Sequence, residues 1–188
     1  AWICLLEALP QCIPSHPDAR WRNELFTIVV QRTATRCSRT HLTTSGSGED
    51  LDDLVEWRER CGAPLLSACS ETLGVSHYLG PLAQELSKAL STPSSLEGIE
   101  ALLFACACVS GGGPNAPRGL SNSADAEVVR AAEQLAGKAA AAATTVLPNE
   151  LASAVVEQAT ACRAAIDRAT SDDADFEPRA GLGWASMS

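Results

Sequence analysis

Aromatic side chains are scarce in this chain: four tryptophans, three phenylalanines and one tyrosine make up 4% of 188 residues, beside three histidines and one methionine. No H-E-x-x-H, G-x-S-x-G or Walker sequence is present, and the histidines His16, His41 and His77 are far apart. "SGGGP" lacks the Lys-Ser/Thr and the preceding strand that a phosphate loop needs. These absences leave no motif for catalysis, so an enzyme and a bound cofactor are not expected. A run of about 18 apolar residues, long enough to cross a bilayer, is also lacking. The longest stretch is 101–109, and no basic segment followed by an apolar core and cleavage site is visible. The visible chain is expected to be soluble, although its apolar start, "AWICLLEALP", reads like a cut through a helix of a longer protein.

Positive charge is in short supply. Fourteen Lys and Arg face 23 Asp and Glu, a formal charge of −9 with a pI near 4.8. Direct nucleic-acid binding needs clustered cations and is not expected. An acidic chain suits basic partners, but the same charge also keeps a 46% hydrophobic chain in solution. Cysteine, by contrast, is plentiful, with Cys4, Cys12, Cys37, Cys61, Cys69, Cys106, Cys108 and Cys162, yet no C-x-x-C occurs. Cys106 and Cys108 would stand about 200° apart on a helix and cannot chelate one ion together. Most of the eight are expected as small core hydrophobes in a reducing compartment, cytosol or nucleus.

What the chain does contain is helical periodicity. "SSLEGIEALLFACACVS" (94–110) opens with a capping box of Ser94 and Glu97 and then turns apolar throughout, as an inner helix covered on nearly all sides would. In 48–74, Leu51, Leu54, Val55, Cys61, Leu65, Ala68, Cys69 and Leu73 mostly follow three- and four-residue steps. Trp57 interrupts the charged run "DDLVEWRER", and its spacing from Leu54 and Cys61 predicts burial on the edge of that stripe. Pro64 predicts a kink or short break near Gly62, and Gly74 a stop.

Alanine-rich 123–147 predicts a helix. The segment 149–169 places Leu151, Val155, Ala159, Cys162 and Ile166 on one stripe. "PDARWRNELFTIVVQRTATRC" also reads as helix, because its β-branched Thr27 to Val30 have no second strand to pair with. Residues 43–48 and 111–124 read as flexible connectors, and 171–188 as an acidic, poorly ordered tail.

Six or seven helices without a credible sheet predict an all-α protein. A globular bundle and a solenoid of helix pairs compete, and the nine-residue apolar run favours the solenoid, with 1–170 as one helical-repeat segment.

Two segments resemble a known family. "DDLVEWR" and, some forty residues later, "LEGIEALLFACACVS" are similar to the middle region of importin-β superfamily receptors, in the transportin-SR and importin-thirteen branch. That branch has an opening of the form D-D-F-x-E-F-R and a later helix of the form W-E-x-x-E-A-x-L-F. Asp52, Asp53, Glu56 and Arg58 match as they stand, with Leu54 and Trp57 in place of the two aromatics. Glu97, Glu100, Ala101, Leu103 and Phe104 match the second form, whereas Leu96 departs from its tryptophan. The likeness covers roughly residues 20 to 168.

The resemblance implies a HEAT-type α-solenoid that binds folded or Arg-rich protein cargo under control of the GTPase Ran, in nucleus and cytoplasm. The N-terminal repeats that supply much of the family's Ran contact have no counterpart here, so Ran is expected to act through the full-length receptor. A generic HEAT or armadillo interaction scaffold is the alternative. Candidate contacts for a basic cargo are Glu49, Asp50, Asp52, Asp53 and Glu56, since carboxylates pair well with arginine forks. The tail acids Asp172, Asp173, Asp175 and Glu177 are a second candidate group. The competing reading, a solvated helix start for the first group and a disordered acidic tail for the second, is the simpler one. Trp57, Arg58, Glu97, Glu100, Ala101, Leu103 and Phe104 are expected to be structural.

Overall fold

The computed structural model describes residues 19–37, 48–92, 98–110 and 123–171. Among the described residues there is no strand, and all their regular structure is helical. Helix α1 spans Ala19–Arg36, α2 Gly48–Trp57, α3 Ala63–Leu73, α4 Val75–Ser91, α5 Ile99–Ala107, α6 Ser123–Val146 and α7 Asn149–Thr170. None of these helices is long and apolar enough to cross a membrane.

Residues 27–30 are helical, as the lack of a pairing strand predicts. Phe26, Val30, Thr33, Ala34 and Cys37 form the buried side of α1, whereas Leu25 and Ile28 lie on its exposed side. Helix α6 begins at Ser123 and α2 at Gly48, so each takes residues from an expected connector. The capping pair Ser94 and Glu97, the positions Leu96, Trp2, Trp184, Cys4, Cys12, His16 and His41, and the tail beyond Ser171 lie outside the described residues.

The expected break near Gly62 takes a different form. Residues Arg58–Gly62 make a π-helical turn that joins α2 to α3 without interruption, and the Ala63 N–H donates to the Arg58 carbonyl five residues back. Pro64, at the start of α3, has no N–H to offer and its ring crowds the preceding turn. Widening that turn removes the conflict without ending the helix. It also changes the phase of the buried stripe. The inward positions run Leu54, Arg58, Gly62, Leu66, Cys69, Ser70 and Leu73, while Val55 and Cys61, expected on the stripe, are exposed. Trp57 is half-buried, not enclosed. Gly74, at φ 77°, ends α3 and starts α4, a backbone region that glycine enters without the steric cost of a Cβ.

Helix α5 is the inner helix that its apolar run predicts. It packs on α1, α4 and α7 and touches α6, burying Ile99, Ala101, Leu103, Ala105 and Cys106. The remaining pairings are ordered: α4 lies on α6 and α5 on α7, so the α4–α5 pair faces the α6–α7 pair. On α7 the predicted stripe is inside, with Val155, Ala159, Cys162 and Ile166 buried and Leu151 half-buried. Glu150, Glu157, Arg163 and Asp167 are exposed. The alanines Ala132, Ala136, Ala139 and Ala143 form the inner face of α6 and permit close helix approach.

Candidate functional site

The exposed acids and Arg58 of the buried ion pair occupy opposite sides of the continuous helix formed by α2 and the π turn. Asp52, Asp53, Glu56 and Glu59 face solvent from α2 and the π turn. Glu49 and Asp50 lie in the first turn of α2, where the helix dipole favours acids. Arg60 reaches back to Glu56, Nη1 to Oε1, at 2.6 Å. This exposed i, i+4 pair contributes little to stability but lowers the net charge of the acidic face. Glu59 adds a carboxylate that the motif comparison does not include.

On the inner side, Arg58 is 5% exposed and Glu100 fully buried. Arg58 Nη1 donates to Glu100 Oε1 at 2.7 Å, and Nη2 donates to Oε2 at 2.6 Å. Its Nε donates to the Cys37 carbonyl at 3.1 Å, and Nη2 donates to the same oxygen. Phe104 completes the surroundings, its ring centroid 4.7 Å from the guanidinium carbon. The guanidinium therefore satisfies the carbonyl at the end of α1, where a cation is favoured, and a carboxylate in the first turn of α5, where an anion is favoured. Three separate parts of the chain are tied at one side chain. The resemblance assigns Arg58 and Glu100 to two separate motifs; the structure joins them directly.

Trp57 covers the next position. A Cβ added to Gly62 would lie 3.1 Å from Trp57 Cζ3 and 3.3 Å from Cys37 Sγ, so a methyl there would require the ring or the end of α1 to give by a few tenths of an ångström. The far end of α5 is held by Tyr78, whose hydroxyl donates to the Ala105 carbonyl at 2.6 Å. Ser110 N–H donates to Ser70 Oγ at 3.1 Å, tying the residues after α5 to α3. Ala101 and Leu103 are core residues, and Glu97 lies outside the described residues.

Four cysteines, Cys37, Cys69, Cys106 and Cys162, are buried, Cys108 is half-buried and Cys61 exposed. Burial pushes the thiols of Cys37, Cys69 and Cys108 up to about 12, with the Arg58 cation opposing the shift at Cys37 and Cys108. Burial likewise raises Tyr78, helped by the surrounding thiols. These groups are neutral and unreactive at ordinary pH. Among the described residues no group of three His, Cys, Asp or Glu is placed to hold a metal ion.

A cleft between α1, α4 and α5 has Leu82 and Ala101 among its apolar walls and Gln31, Glu85 and Lys88 among its polar ones. Lys88 and Glu85 are paired at 2.6 Å.

Comparison with known protein families, characterised proteins and solved structures finds no match.

Proposed function

We propose that this chain is a segment of a nuclear transport receptor of the importin-β type, built as a HEAT-type α-solenoid and binding basic or Arg-rich protein cargo. The observation that carries the reading is the Arg58–Glu100 bridge. The two stretches that resemble the receptor branch meet through it, and Phe104 of the second stretch lies against Arg58 of the first. The two stretches that carry the likeness thus touch each other in the fold.

Two further features support the reading. The α4–α5 and α6–α7 pairs face each other, helix on corresponding helix, which is how successive repeats of a solenoid bury their surfaces. The carboxylates of Asp52, Asp53 and Glu59 are exposed on the side away from the buried bridge, where an arginine-rich cargo could pair with them, while Glu56 is already paired with Arg60. Ran-GTP acts on the full-length receptor, which moves between nucleus and cytoplasm. The helix pairing alone also fits a HEAT or armadillo scaffold with some other partner.

A transport assay separates the two. Fluorescently tagged full-length protein, added to permeabilised cells with Ran and an energy source, should cross the nuclear envelope and redistribute when Ran is held as Ran-GDP. A protein that stays outside nuclei in both conditions leaves the scaffold reading.

A further inference from the structure

Helix α2 is anchored at its C-terminal end. Among the described elements it packs appreciably only on the π turn that follows it, whereas α3, which continues the same helix, also lies against α1 and α4. Leu54 is buried, but Asp52, Asp53, Val55 and Glu56 are exposed. The Trp57 ring is half-buried near Gly62. The next side chain, Arg58, is bonded to Glu100 and to the Cys37 carbonyl. Ten residues are too few for a helix to be stable alone. Five of the ten are Asp or Glu, and like charges three and four residues apart, such as Asp52 and Glu56, oppose the helix further. Helix α2 therefore depends on its anchor.

We infer that α2 is a hinged arm: the π turn Arg58–Gly62 is its hinge, and the Arg58–Glu100 bridge is the clamp that holds it closed. Opening releases residues 48–58 as one unit, which unwinds while α3 to α7 stay packed. The hinge is soft because Gly62 has the widest backbone freedom of any residue and Pro64 has no N–H to donate across the turn. The clamp is strong because opening carries Arg58 away and leaves the Glu100 carboxylate buried without its counter-ion. An element with few buried apolar contacts and one costly tie opens ahead of the rest of the protein, as often as the tie allows. The inference does not rest on the transport reading.

Complete unfolding brings both charges into water, whereas opening of the arm leaves Glu100 inside. Removing both charges therefore favours opening of the arm selectively. The test is hydrogen–deuterium exchange of the full chain, read by mass spectrometry of its peptides, in the unmodified protein and in Arg58→Met with Glu100→Leu. The readout is the exchange rate of 52–57 relative to α7, so that a general loss of stability cancels.

In the unmodified chain the amides of 52–57 should exchange together, at least about tenfold faster than those of α3 and α7. In the double variant the ratio to α7 should rise by at least about a further tenfold. Glu100→Gln alone, which keeps the shape and an acceptor for Arg58, should raise the same ratio by less. The inference is overturned if 52–57 exchange no faster than α3 in the unmodified chain. It is also overturned if neither variant raises the ratio, which is the result for a bridge that only stabilises the core as a whole.

Discussion

Arg58 and Glu100 form a two-pronged ion pair inside the protein, 42 residues apart in sequence, with contacts of 2.7 and 2.6 Å and almost no exposure of either side chain. Removing one member leaves the other charged and without its counter-ion in a site that excludes water. Glu100→Leu or Arg58→Met alone should cost about 3 to 5 kcal/mol in urea unfolding. The double variant Arg58→Met with Glu100→Leu should lose clearly less than the sum. Additive losses in the double-mutant cycle would show that the two side chains do not depend on each other.

Gly62 and Trp57 supply a second coupled pair. Gly62→Ala places a methyl 3.1 Å from the indole and 3.3 Å from Cys37 Sγ, and should cost about 1 to 3 kcal/mol. Trp57→Ala should cost about 2 kcal/mol, less than a fully enclosed tryptophan because the ring is half-buried. Combined, the two should lose less than their sum, since the smaller side chain vacates one of the two close approaches. Unfolding midpoints of the three variants at equal slope check this.

Alkaline pH should weaken the fold. The Cys37, Cys69 and Cys108 thiols rise from an ordinary value of 9.0 to about 12 in the folded state. The unfolded chain therefore loses these protons first. Their contribution is fully present below about pH 9 and is lost as pH rises toward 12. Urea midpoints should be flat with respect to these thiols from pH 7 to 8.5 and then fall, and Cys69→Ala should make the decline shallower. An equal decline in that variant would assign it to other groups.

Charge reversal on the exposed side of α2 tests the acidic face without disturbing the core. Asp52→Lys with Asp53→Lys in the full-length protein should weaken binding of an Arg-rich peptide about tenfold at low salt and flatten the salt dependence, because exposed charges act through screened long-range attraction. Stability should change by less than about 0.5 kcal/mol. Unchanged affinity and slope would return these carboxylates to a solvated helix surface.

The helices were legible where one residue type per face carried the pattern. The α7 stripe from Val155 to Ile166 is inside as read, and the apolar run of α5 is enclosed on several sides. The stripe through α2 and α3 was not, because two of its inward positions are an arginine and a glycine, which apolar spacing skips. Counting apolar residues alone moved the stripe onto Val55 and Cys61. A visible signal did exist: Arg58 lies four residues from both Leu54 and Gly62, and Glu100 is the one acid beside the nine-residue apolar run. Pairing one cation on a helix stripe with one anion beside a buried helix would have predicted the bridge. The π turn has no comparable signal beyond Pro64.

The most direct measurement for the transport reading is the affinity of the full-length protein for a fluorescent Arg-rich peptide, by anisotropy, with Ran-GTP or Ran-GDP in excess. The account predicts that Ran-GTP shifts the apparent Kd at least about fivefold relative to Ran-GDP, by releasing or by loading the peptide, as coupling between two sites on one receptor requires. Identical binding curves with the two forms of Ran would contradict it.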